Sequence, residues 1–93
     1  MANNLFVSYE FNQPNQDHAP VVAGIKMLGD YKQVLTSVWY VKSSFSVEDA
    51  IALFNKAIAT GDRVFIIDAT NNKARALNID PNSADFVNSK WSL

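Results

Sequence analysis

"NNLFVSYEFN" (residues 3–12) alternates large apolar side chains with smaller or polar ones, and its last charged group is Glu10, set between Tyr9 and Phe11. Period-two alternation predicts a β-strand with Leu5, Val7, Tyr9 and Phe11 on one face and Phe6, Ser8 and Glu10 on the other. The apolar face needs helices to cover it, so the fold depends on whether the rest of the chain supplies them.

Residues 12–17, "NQPNQD", read as a loop from their Asn, Gln and Pro content. A first helix starts with Asp17 as N-cap and Pro20 in the first turn, where a missing N–H costs little. Val21, Ile25 and Leu28 recur at helical spacing, and Gly29 is the expected stop. "YKQVLTSVWYVKSS" (31–44) is rich in β-branched and aromatic residues. It reads either as one bent strand or as two short strands breaking near Thr36–Ser37.

A second helix is announced by Ser46 followed by Asp49, which resembles a capping box with Asp in place of Glu or Gln; Phe45 can staple against Ala50. Val47, Ile51, Phe54 and Ile58 trace its apolar stripe, and Gly61 closes it. "RVFIIDAT" (63–70) is an apolar run typical of a buried strand. Asn71-Asn72 can supply the two positive-φ residues of a tight hairpin, returning the chain through "KARALNI" (73–79). Asp80 as N-cap and Pro81 at N1 begin a short terminal helix with Ala84, Val87 and Trp91 on one side.

Two helices on one face of a mostly antiparallel sheet make an α+β fold, and βαββαβ is the ferredoxin-like order, here with a C-terminal return strand and short helix. The first strand is then central, antiparallel to strand 63–70, with Glu10 near Asp62 and Arg63. Ninety-three residues form one domain, 1–93, burying about 60–65% of the unfolded surface.

Charge narrows the function classes. Eight Lys and Arg against nine Asp and Glu give a net charge of −1, whereas nucleic-acid binders usually carry a basic excess. The chain has no cysteine, which excludes disulfides and thiolate metal sites. The N-terminus predicts neither a signal peptide nor a membrane span, and a cytoplasmic location is the default expectation. Walker, dinucleotide-binding, zinc-protease and nucleophile-elbow motifs do not occur.

Glu10 has two readings: a metal ligand at a dimer two-fold axis, or an ion pair with Arg63. The ion pair is favoured, since one acid per chain is a thin metal site. Phe6 shares its sheet face with either Trp39 or Tyr40. Such aromatics stack on bases in RNA-binding modules or are buried against another sheet, and burial in a homodimer is favoured for a chain without basic excess. Phe6, Trp39 and Leu77 are the expected dimer-interface residues. Phe6, Trp39, Lys73 and Arg75 are the expected nucleic-acid contacts. His18 reads as a solvated residue at the helix start rather than a general acid–base group.

Val7-Ser8-Tyr9-Glu10-Phe11, the helix ending at Gly29 and Leu35-Thr36-Ser37-Val38-Trp39 together resemble the small CRISPR-associated adaptation nucleases and the related virulence-associated protein D toxins. Their first strand has the form V-x-Y-D-I, and a strand of the type Q-x-S-V-F follows the helix. The likeness covers roughly residues 4–70. The chain is also similar to short bacterial and phage proteins labelled SinR-like, although it shows no helix-turn-helix.

The resemblance implies a homodimer with facing sheets, a C-terminal strand crossing to the partner, and, in some members, Mg²⁺- or Mn²⁺-dependent cleavage of DNA or RNA. The family's metal ligand carries over to Glu10 alone; Ser8 and Ser37 read as polar strand positions that would be secondary polar contacts if cleavage occurs. This chain has Glu where the family has Asp, and the extra methylene displaces the carboxylate by about an ångström or more, enough to disturb octahedral Mg²⁺. The resulting expectation is a dimeric, nucleic-acid-associated or scaffold module in which cleavage is disfavoured. The alternative is a non-catalytic regulator that binds a protein partner.

Overall fold

A computed structural model describes residues 2–11, 18–57 and 61–90. The chain runs β1 (Asn3–Glu10), α1 (Ala19–Leu28), β2 (Gly29–Leu35), β3 (Val38–Ser43), α2 (Val47–Ala57), β4 (Arg63–Asp68), β5 (Lys73–Leu77) and α3 (Pro81–Lys90). The strands form one antiparallel sheet in the order β2-β3-β1-β4-β5. The α+β expectation therefore holds, with β1 central between β3 and β4.

Registers assign every strand residue to a face. Val7 is opposite Trp39 on one side and Ile66 on the other, so these three share the face that α1 and α2 cover. Leu5, Val7, Trp39, Val41, Val64 and Ile66 pack there with Val21, Ile25 and Leu28 of α1 and Val47, Ala50 and Phe54 of α2. These residues form the core, and the two helical stripes match the sequence pattern. The Asp17 cap, Ile58 and Trp91 lie outside the described residues.

Residues 31–44 resolve into two strands, broken by a turn at Thr36–Ser37. The extended chain starts as early as Gly29, whose φ of 152° and close passage over β3 admit no side chain. A Cβ there would lie 2.1 Å from the Lys42 carbonyl oxygen. At the start of α2, Ser46 Oγ accepts the Asp49 N–H at 3.1 Å, as the capping pattern predicts. Asp80 does the same for Ser83 at the start of α3.

The β4–β5 turn differs from expectation. Asp68 is opposite Lys73, so the loop has the four residues 69–72, and of the two asparagines only Asn72 has a positive φ, 56°. The reason lies in Asp68. Its Oδ1 accepts the N–H groups of Thr70 and Asn71 at 2.9 and 3.0 Å, and its Oδ2 accepts Asn71 Nδ2 at 2.7 Å. This side-chain scaffold replaces the two-residue turn.

β5 pairs with β4 of its own chain, in the return position. α3 has no fully buried residue. It stands over the sheet face opposite α1 and α2, where its Ala84 and Val87 line a cavity with Phe65, Ala74 and Ala76.

Candidate functional site

The face of the sheet away from α1 and α2 brings together most of the candidate residues. Asn4, Phe6, Ser8 and Glu10 project from β1, flanked by Val38, Tyr40 and Lys42 of β3 and by Arg63, Phe65 and Ile67 of β4. α3 stands over the β4–β5 side, and among the described residues no helix stands over the β1–β3 side.

Phe6 lies directly opposite Tyr40, with ring centroids 5.4 Å apart and planes tilted by 53°. Phe6 is 37% exposed. Tyr40 is tethered, its hydroxyl donating to Asn4 Oδ1 at 2.7 Å, and Lys42 Nζ donates to the same oxygen at 2.9 Å. Lys32, opposite Tyr40 on β2, adds a second cation on this face. The result is a fixed aromatic pair in a polar frame, a geometry that can stack on a base or pack against a second sheet.

Trp39 corrects the expectation that it accompanies Phe6. It is opposite Val7 on the helix-covered face, 8% exposed, with its indole N–H 3.4 Å from the Tyr9 hydroxyl. The register of β3 on β1 sets Tyr40, and not Trp39, on the open face. Leu77 is corrected in the same way. Opposite Val64, it packs half-buried against the core, away from the face on which Phe6 would meet a partner.

Lys73 and Arg75 share the parity of Leu77 and point to the α2 side. Arg75 Nη2 and Lys73 Nζ lie 3.2 and 4.0 Å from Glu48 Oε1. The Glu48 carboxyl is held below its usual range, first by its own backbone N–H and then by these two cations and Ser46, against partial desolvation. The two basic residues therefore share one carboxylate on the face opposite Phe6. The cations that do flank Phe6, Lys32 and Lys42, were not singled out from sequence, because only strand register shows which face they share.

Glu10 lies opposite Arg63, and Arg63 Nη1 donates to Glu10 Oε1 at 2.8 Å. Both side chains are well exposed, 71% for Glu10 and 54% for Arg63. They stand at the mouth of a cavity of about 430 Å³ between the sheet and α3, whose walls include Ser8, Phe65, Asp80 and Val87. Asp80 is a second carboxylate lining this cavity, and it is engaged by both the N–H and the hydroxyl of Ser83. Among the described residues no three His, Asp or Glu side chains converge in a metal-binding group. Within one chain Glu10 is paired with a guanidinium and Asp80 caps a helix, so neither carboxylate is left without a partner. Ser37 stands apart, its carbonyl accepting the Tyr9 N–H at 3.1 Å.

His18 is more engaged than expected. Its Nδ1 lies 3.1 Å from the Tyr9 hydroxyl, and its ring meets Phe11 edge-on at 4.6 Å. These contacts anchor the start of α1 to the end of β1. Among the described residues, no helix is long and apolar enough to cross a membrane. Compared with family models, curated proteins and solved structures, the chain matches none of them.

Proposed function

We infer that this chain is a self-associating scaffold module, two copies of which meet through the open sheet face around Phe6 and Tyr40, with nucleic acid as a ligand of the assembly rather than a substrate. The observation that carries this reading is the aromatic pair itself: two rings held 5.4 Å apart at the centre of the part of the sheet that α3 leaves uncovered. The element order βαββαβ and the strand order β2-β3-β1-β4 support a ferredoxin-like reading, with β5 and α3 appended. The resemblance to the CRISPR adaptation nucleases supports facing sheets as the mode of pairing. The Glu10–Arg63 ion pair supports a non-catalytic role, because a carboxylate already holding a guanidinium is poorly placed to gather a metal.

The test is the assembled mass in solution, measured by light scattering across a concentration series. Phe6→Asp places a charge where the reading buries an apolar ring and is expected to halve the mass without loss of helix and strand content. An unchanged mass would remove the open face as the interface.

A second reading is favoured by the two lysines beside the rings. Phe6 and Tyr40 would act as a stacking platform for single-stranded nucleic acid, with Lys32 and Lys42 contacting phosphates. It predicts oligonucleotide affinity that falls steeply with salt, and a Tyr40→Ala variant that loses affinity while its mass is unchanged.

A further inference from the structure

The opposite margin of the molecule carries a second concentration of exposed apolar side chains. Of the six large hydrophobic residues left exposed among the described residues, Met27, Tyr31, Val34 and Leu35 fall within nine positions, at the end of α1 and along β2, each between 44% and 67% exposed. Among the described residues β2 is an edge strand, bonded only to β3, and all seven of its residues are exposed. Its outer backbone groups form a template for another strand. The other edge, β5, is shorter and lies against α2, with Lys73 and Arg75 held by Glu48.

We propose that the β2 edge docks a second copy of itself, antiparallel, about a two-fold axis through Tyr31, joining two five-stranded sheets into one. The proposal is independent of pairing through the Phe6 face. Symmetry restricts the choice. A two-fold relation between antiparallel edge strands keeps each sheet face on its own side, so residues that meet share a face and the axis passes through a residue. An axis through Asp30 sets Asp30 against Asp30, and one through Lys32 sets Lys32 against Lys32. An axis through Tyr31 sets Asp30 of each copy against Lys32 of the other, twice, and Gly29 against Gln33.

Asp30 and Lys32 both lie on the open face, opposite Lys42 and Tyr40, so the two cross-strand charge pairs form side by side. The pairing also ends where the strand does. The register slips between Gln33 and Leu35, leaving Val34 without a partner on β3. Val34 and Leu35 then extend past Gly29 of the second copy. One register therefore pairs Asp30 with Lys32 twice and sets exposed Tyr31 against Tyr31 of the second copy.

The test reads sedimentation-derived mass for three chains in the Phe6→Asp background, which leaves the edge as the interface under study. The parent is expected to be dimeric. Lys32→Asp, which sets acid against acid, is expected to weaken the dimer at least tenfold. The double change Asp30→Lys with Lys32→Asp restores a self-complementary pattern and is expected to restore the dimer. A monomeric parent, a Lys32→Asp variant that dimerises like the parent, or a swapped pair that stays monomeric would each overturn the proposal. Failure of the Phe6 reading shows elsewhere, as an unchanged mass when Phe6→Asp is compared with wild type.

Discussion

Arg63 Nη1 donates to Glu10 Oε1 across neighbouring strands at 2.8 Å, and both side chains remain more than half exposed. The acid at the tip of the first strand is thus a cross-strand ion pair in water. Such pairs contribute about 0–1 kcal/mol, since solvent screens the attraction and two long side chains lose freedom. Glu10→Ala and Arg63→Ala are each expected to lower unfolding free energy by no more than about 1 kcal/mol in denaturant titration. Mg²⁺ or Mn²⁺ is expected to leave the melting temperature of wild type and Glu10→Ala equally unchanged. A metal-dependent rise confined to wild type would return Glu10 to a ligand role.

Gly29 is expected to be the least replaceable glycine. Its φ of 152° is unfavourable for any side chain, and a Cβ would meet the Lys42 carbonyl oxygen at 2.1 Å. Gly29→Ala should cost roughly 2 kcal/mol or more, from strain together with displacement of β2 from β3. Thermal unfolding measures it, and a loss under about 0.5 kcal/mol would show that the helix–strand junction relaxes freely.

Asp68 contributes to the acid limb of stability. Burial raises its carboxyl pKa, but Asn71 Nδ2, the N–H groups of Asn71 and Thr70, and Lys73 together outweigh burial and leave it below its ordinary value. A carboxyl lowered on folding stabilises the native state fully above its unfolded pKa of about 3.9, and the contribution is lost as pH falls through the folded value. Wild type should therefore lose stability on acidification below about pH 4. Asp68→Asn should be less stable near pH 7 by about 1–2 kcal/mol, because charge-assisted bonds become neutral ones. Its acid limb should also be shallower, and parallel limbs would assign the acid sensitivity to other groups.

Trp39 provides an optical check on the sheet faces. In a Trp91→Phe chain its emission is expected to be blue-shifted, weakly quenched by acrylamide and indifferent to oligonucleotides, because the indole lies in the core against Tyr9. Solvent-like emission would place Trp39 on the open face and reverse the parity of β3.

Most of the fold was legible from local chemistry. Alternation over residues 5–11, the Val21, Ile25 and Leu28 stripe, and Ser46 and Asp80 ahead of their helices each announce an element through a single periodicity or cap. The site was legible only in part. Phe6 was assigned to its face by counting along one strand, and the Glu10–Arg63 pair follows from two adjacent antiparallel strands. Trp39 was misplaced because the register of β3 on β1 is a long-range pairing that alternation within residues 31–44 does not fix. Leu77, Lys73 and Arg75 take the helix-covered face with a two-residue or a four-residue turn alike, since the two differ by an even number of residues; the Asp68 scaffold moves the register of β5 and not its face. Lys32 and Lys42 went unseen because their face, too, follows from long-range register.

The most direct test of the central claim, pairing through the open face, is the mass of two chains that both carry Tyr31→Asp, which sets acid against acid at the β2 edge from the helix-covered side of the sheet. The chain that keeps Phe6 is expected to sediment as a dimer, and the chain that also carries Phe6→Asp is expected to sediment as a monomer with the same circular dichroism. Equal masses for the two would contradict the claim, whether both are monomers or both remain dimers.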